Sequence, residues 1–456
     1  MSKTANHSER MGTEPVGKLL FSMSAPLCIS MLVQALYNIV DSIFVSRIDE
    51  QALAATSLAF PIQSFMISFS VGMAVGMSAL LSRSLGERNK TRAQEACNNG
   101  IFIELCGAVI FTLFGLFGTK WFFSTQTNNP VIIQYGVDYL SIVCTFSIGL
   151  ILEIIFERVL QSTGNTIYNM ISQGCGAIFN CIFDPILIFG LFGFPKMGIR
   201  GAAIATVAGQ FLAMLLALIF NIKRNHDVSV IWKHFKPSAN VIRQILSVGI
   251  PSFIMQAITS VTTYIMNSIL IAYSEAAVTV YGIYFKLQSF VFMPIFGMNN
   301  GMIPIIAFNY GAKNRERILT TIKYAVITAT LIMATGTFLF NVFPGWFMKL
   351  FNAGGELLTL GTTALAIISL HFLFAGFNIV ILSTYQALGN GVYALIISVL
   401  RQLVILVPAA YILGKIFGVE SIWWCFPIAE FISTIANVFL YRKIYREKIE
   451  PLGSKG

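Results

Sequence analysis

The sequence predicts an all-α integral membrane protein of twelve transmembrane helices, arranged as two six-helix bundles related by a pseudo-two-fold axis along the membrane normal. Three observations carry this reading. Hydrophobic residues make up 56% of the chain and charged residues 11%, where a soluble protein carries about 25% charged residues. Mean hydropathy is +0.75, and apolar runs long enough to cross a bilayer recur along the whole length. The third observation is a duplication at an offset of 225 residues. Phe60, Gln63, Ser64, Phe65, Gly72, Met73, Gly76, Met77, Gly86, Asn89 and Arg92 return as Phe285, Gln288, Ser289, Phe290, Gly297, Met298, Gly301, Met302, Gly311, Asn314 and Arg317. Six spans per half is an even number, so both copies share one orientation and their axis lies along the normal.

Taken in order, the first span runs near 17–46 and carries a polar stripe of Gln34, Tyr37, Asn38 and Asp41 at helical spacing. The second, near 53–82, holds the first copy of the repeated pattern. Spans near 93–119 and 131–162 follow, the former with Glu104 and the latter with Glu153, Glu157 and Arg158. The fifth, near 166–190, contains Asn180 and Asp184 one turn apart, with Pro185 next in the chain; the missing proline N–H frees a carbonyl for an ion or water. A sixth near 198–222 completes a first lobe, residues 1–222. Residues 223–239 form the one long polar break and read as a cytoplasmic linker. The second lobe, 240–456, repeats the plan with spans near 240–271, 276–309, 317–343, 356–388, 391–414 and 418–443.

The formal charge of +10 reflects topology rather than nucleic-acid binding. With both termini cytoplasmic, 21 Lys and Arg fall on the inner side and six (Arg47, Lys120, Lys196, Arg200, Lys349, Lys415) on the outer side. That asymmetry is the positive-inside pattern, and the inner excess suits contact with anionic lipid. The expected location is the cell membrane, multi-pass. The first apolar run is too long for a cleavable signal. The seven cysteines include no CxxC pair, so neither a disulfide framework nor a zinc site is indicated. No HExxH or GxSxG motif points to an enzyme, and no cofactor is expected.

Ionisable side chains inside a bilayer are functional candidates by default. Asp41 and Asp184 come from the first and fifth spans at matching depth, each with an Asn one turn away (Asn38 and Asn180). Two such carboxyls would titrate as a coupled pair, ionised with a cation bound and protonated on its release. Glu157, then Glu153, are candidates for contact with a cationic substrate from the cytoplasmic opening, an ion pair with Arg158 being the alternative for Glu157. Arg401 and Glu430 lie at similar depth on consecutive spans and are candidates for a structural ion pair. Lys286, Glu104 and His371 remain without an assigned role. Among 17 Met and 39 Phe, some line a central cleft, where thioethers and aromatic faces suit lipophilic cations.

The run FNCIFDPILIFG at 179–190, SAP at 24–26, QSTGN at 161–165 with QALGN at 386–390, and LGERN at 85–89 with YGAKN at 310–314 resemble the MATE multidrug and toxic-compound extrusion transporters. The resemblance spans nearly the whole chain and is nearest to the bacterial DinF-type and MepA-like branch. It implies a monomeric, V-shaped pair of lobes exporting lipophilic organic cations against inward H+ or Na+. It implies that Asp41, Asn180 and Asp184 form the cation site of the first lobe, and a metal site only where Na+ is the coupling ion. The acidic second-lobe ligands of the NorM-type branch have no clear equivalent here. The alternative within the same superfamily is a flippase of lipid-linked oligosaccharides, which would be expected to place basic residues in its cleft.

Overall fold

The computed structural model describes residues 7–230, 235–351 and 353–453. Residues 1–6, Lys233 and Lys455, counted in the charge asymmetry, lie outside the described residues. The described residues are helical with no strand among them, as lipid demands of a backbone that must satisfy its own hydrogen bonds. Among the described residues ten helices are long and apolar enough to cross a membrane, and two bent pairs make twelve when each is taken as one span: α1 Val16–Ser46, α2 Glu50–Gly86, α3 Lys90–Phe117, α4 Pro130–Thr145 with Ile148–Ser162, α5 Thr166–Phe189, α6 Ile199–Arg224, α7 Ala239–Ile271, α8 Glu275–Gly311, α9 Arg315–Val342, α10 Gly355–Ser369 with Phe372–Ala387, α11 Gly391–Phe417 and α12 Val419–Leu452. Short helices at Arg10–Thr13, Thr119–Gln126 and Pro344–Lys349 were not foreseen from sequence.

Two expectations need correction. The segments near 131–162 and 356–388 read as continuous helices, yet α4 bends by 44° and α10 by 47°. Neither break contains proline or glycine. Instead a neighbouring threonine captures a carbonyl released at each: Thr112 Oγ1 donates to the Thr145 carbonyl at 3.0 Å, and Thr337 Oγ1 to that of Ser369 at 2.9 Å. Thr112 and Thr337 are themselves 225 residues apart, so the duplication extends to the hydroxyl that satisfies each break.

It extends to the helix starts as well. Asp49 caps α2 through the Ala52 N–H at 2.7 Å, and Ser274 caps α8 through that of Ala277 at 3.1 Å. Asn89 and Asn314 cap α3 and α9 in the same way, at 3.0 and 3.1 Å. The residues before those two caps, Arg88 and Lys313, share a left-handed φ of 57°, a conformation that costs a side-chain-bearing residue energy and persists only where its surroundings impose it.

The halves meet where α1 lies along α8 and α2 along α7. Glycine makes this seam possible, and it does so twice. A Cβ on Gly72 would stand 2.7 Å from the Phe253 nitrogen, and one on Gly297 would stand 2.7 Å from that of Cys28. Nearer the ends of α2 and α8 the approach tightens. A Cβ on Gly86 would fall 1.9 Å from the Phe308 carbonyl oxygen, and one on Gly311 2.1 Å from that of Arg83. Beside this crossing, Arg92 Nη2 donates to Gln244 Oε1 on α7 at 2.6 Å. Its counterpart Arg317 Nη2 donates to the carbonyls of Met11 and Glu14, ahead of α1, at 2.9 and 2.7 Å. Each half thus grips the start of the other's first helix. The seam is closed at the end carrying the N-terminal segment and the linker.

Candidate functional site

At the opposite end, α1, α2, α4, α5 and α6 of the first half enclose a cavity of about 510 Å³, a volume that holds a drug-sized ligand. Backbone proximity builds its floor. A Cβ on Gly176 of α5 would meet the Gly209 carbonyl oxygen of α6 at 2.8 Å, and the reverse distance is also 2.8 Å. This crossing brings α5 and α6 close enough for Asn180, one turn beyond Gly176, to reach Thr206. With its amide turned to suit both neighbours, Asn180 donates to Asp184 Oδ2 at 2.7 Å and accepts from the Thr206 N–H at 3.0 Å. Asn180 is 2% exposed and Asp184 fully buried. The carboxyls of Asp41 and Asp184 are neighbours, close enough to interact electrostatically.

The residues singled out from sequence divide clearly. Gln34, Tyr37, Asn38 and Asp41 line the cavity from α1, and Glu153 and Asn180 line it from α4 and α5. Asp184 sits directly behind, in contact with Asp41 and Asn180. Glu157 is not on the cavity wall: it is buried one turn further along α4, where Ser172 Oγ donates to it at 3.0 Å. Arg158 does not pair with it but reaches across the seam, donating to Asn300 Oδ1 at 3.0 Å. Of the two glutamates, Glu153 is the one on the cavity wall.

In the second half, Arg401 Nη1 lies 3.2 Å from both Glu430 carboxylate oxygens, and Asn378 Nδ2 donates to Glu430 Oε1 at 2.8 Å. Asn378 is the counterpart of Glu153 at the 225-residue offset. Where the first half has an acidic cavity, the second places an Arg401–Glu430 ion pair bonded by Asn378. Lys286 is exposed on α8. His371 is buried at the α10 break, its ring N–H donating to the Ile368 carbonyl at 2.6 Å. Glu104 is fully buried, with no protein hydrogen-bond partner for either oxygen among the described residues.

Sequence reasoning missed several polar groups of the wall. Gln63 donates to Tyr139 Oη at 3.1 Å, and Gln173, Thr206 and Gln210 complete the polar lining. Gln63 belongs to the repeated pattern and was legible there. Thr206 and Gln210, four apart on an apolar helix, formed a weaker signal of the same kind as the α1 stripe. Phe60, Met66, Ile67 and Leu150 supply apolar wall, and no Lys or Arg lines the cavity among the described residues. No group of His, Cys, Asp or Glu able to hold a metal is found among the described residues.

The comparisons with known proteins point one way. The MatE family profile matches residues 26–186 and 251–412. The multidrug export protein MepA of Staphylococcus haemolyticus (strain JCSC1435) is 28% identical over 424 residues, covering 93% of this chain and 92% of MepA. Among solved structures, an outward-facing multidrug-resistance MATE transporter of the MOP superfamily superposes with a TM-score of 0.91 at 25% identity, over 99% of both chains. A MOP superfamily transporter from Pyrococcus furiosus, described as having a binding pocket of reversed polarity, shares the fold at a TM-score of 0.90 and 24% identity, with both chains fully covered.

Proposed function

The chain belongs to the MatE family, and from that premise we propose that it is a multidrug efflux antiporter, exporting lipophilic organic cations by alternating access against an inward flow of H+ or Na+. The observation that carries this reading is the cavity itself: Asp41 on the wall, with Asp184 directly behind it, in a space of about 510 Å³ lined by both polar and apolar side chains. Asp41, Asn180 and Asp184 form the coupling site. Gln34, Tyr37, Asn38 and Glu153 face the substrate. Glu157 lies off the cavity wall, where Ser172 Oγ donates to it at 3.0 Å.

The mechanism follows from charge. With Asp41 and Asp184 ionised, the cavity attracts a cation whose lipophilic body rests on Phe60, Met66 and Leu150. Entry of protons neutralises the pair, removes that attraction and releases the cation outward; the pair titrates as a unit. Na+ would find hard oxygen ligands in the two carboxylates, and the Asn180 amide would have to turn its oxygen from Thr206 to join them. The absence of Lys and Arg from the described wall favours this reading over the flippase of lipid-linked oligosaccharides, whose pyrophosphate needs cationic partners. The lobes are residues 1–222 and 240–456, joined by 223–239, in a monomer.

The test uses purified protein in liposomes preloaded with a fluorescent lipophilic cation. Counter-flow driven by an imposed pH gradient identifies H+ as the coupling ion, and counter-flow driven only by a Na+ gradient identifies Na+. Conductive leak of the dye with no dependence on either gradient would overturn antiport.

The proposed orientation places both termini and the linker in the cytoplasm, so the cavity faces outward in this conformation. Ser229, exposed in the linker, provides the check. A Ser229→Cys variant on a cysteine-free background is expected to resist a membrane-impermeant thiol reagent on intact cells and to react in inverted vesicles. Ready labelling on intact cells reverses the topology.

A further inference from the structure

Most polar groups around the cavity already have partners: Gln63 is bonded to Tyr139, and Asn180 to Asp184 and Thr206. Two oxygens stand apart. Asp41 Oδ1 on α1 and Gln210 Oε1 on α6 are buried, and neither accepts a hydrogen bond from an amide, hydroxyl or guanidinium among the described residues. Both residues line the same cavity. Both unmet groups are acceptors, so an occupant that fits them must bring donors. A buried acceptor left unmet is costly, and a site built around such acceptors rejects a ligand that lacks the matching N–H.

Gln210 is also firmly placed. It follows Gly209, whose backbone lies against Gly176 in the α5–α6 crossing, and comes one turn after Thr206, which anchors Asn180. Its amide therefore moves with the coupling site rather than with a free loop.

Resting on the efflux reading above, we propose that Gln210 is a specificity-determining residue: with Asp41 it forms a subsite that accepts hydrogen bonds from the N–H groups of a protonated head group. Asp41 supplies the charge that any cation feels. Gln210 supplies a neutral acceptor that only an N–H-bearing cation can use. Guanidinium and amidinium ions are preferred over quaternary ammonium ions of similar size, and the preference depends on Gln210.

The experiment measures equilibrium binding of phenylguanidinium and phenyltrimethylammonium to the purified full-length transporter. The original protein is expected to prefer the guanidinium by about tenfold, the scale of one hydrogen bond to a charged donor. Gln210→Met, of similar length and without an acceptor, is expected to bring the ratio near one while binding of the quaternary ion is kept. Gln210→Glu, which keeps an acceptor, is expected to preserve or widen the preference. This second variant separates loss of the acceptor from disturbance of α6. A ratio unchanged in Gln210→Met overturns the subsite and leaves the efflux reading standing. Equal loss of both ligands in Gln210→Met and Gln210→Glu assigns the residue to packing and overturns the subsite. A native protein that binds neither ion overturns the reading of the cavity as a cation site, and the subsite with it.

Discussion

Replacing either Asp41 or Asp184 by Asn is expected to abolish uphill efflux while leaving folding and surface expression near normal. The two carboxyls are neighbours, and Asn180, itself anchored on Thr206, donates to Asp184. Asparagine keeps the shape and removes the charge. Moving one elementary charge down 100 mV supplies about 2.3 kcal/mol, which sustains a gradient of about fifty-fold. Losing the coupled charge removes that work, so accumulation ratios should fall from tens-fold toward one. The double variant should be no worse than either single one, since residues acting as a unit do not add their effects. The measurement is concentrative transport in proteoliposomes at several external pH values. An Asp184→Asn protein that still pumps against a gradient, with an unaltered pH profile, would sink the shared-site idea.

The second large effect is expected at the seam. Gly86→Val and Gly311→Val each insert a side chain where a Cβ would stand 1.9 or 2.1 Å from a carbonyl oxygen of the other half. The opposing atom is main chain on a long helix and cannot rotate away. Overpacking of this kind costs about 1–3 kcal/mol, enough to shift a two-state equilibrium by about tenfold or more. The closed end should open. Transport should fall at least tenfold, and Gln34→Cys in the cavity should become reactive to a reagent applied from the cytoplasmic face. Gly86→Val with unchanged transport and unchanged Gln34→Cys reactivity would show that the crossing does not govern access.

Much of this protein was legible in the sequence because lipid narrows the choices. The limits of the fifth span, 166–190 against Thr166–Phe189, agree within a residue, since polar loops punctuate the apolar runs, whereas the second, 53–82, runs on to Glu50–Gly86 and the last, 418–443, to Leu452. The α1 stripe pointed at one wall of the cavity because helical spacing alone puts Gln34, Tyr37, Asn38 and Asp41 on one face. The helix breaks were not legible. Nothing local marks residues 146–147 or 370–371; the carbonyl met at each break finds its partner in a threonine hydroxyl more than thirty residues upstream. Glu153 and Glu157 share a face at a spacing of four, so sequence could not tell that the cavity ends between them. Gln210 was missed for a related reason: its meaning comes from what it does not touch.

The crossing of α2 and α8 has one more consequence. Its closest contacts are between backbones, glycine against carbonyl, and the flanking guanidinium grips include main-chain oxygens at Met11 and Glu14. A barrier made from the peptide chain itself is indifferent to the identity of the cargo. The side chains of the cavity at the other end are then free to vary without disturbing that crossing. Tolerance and tightness are assigned to different halves of the same helices, so selection can act on one without eroding the other.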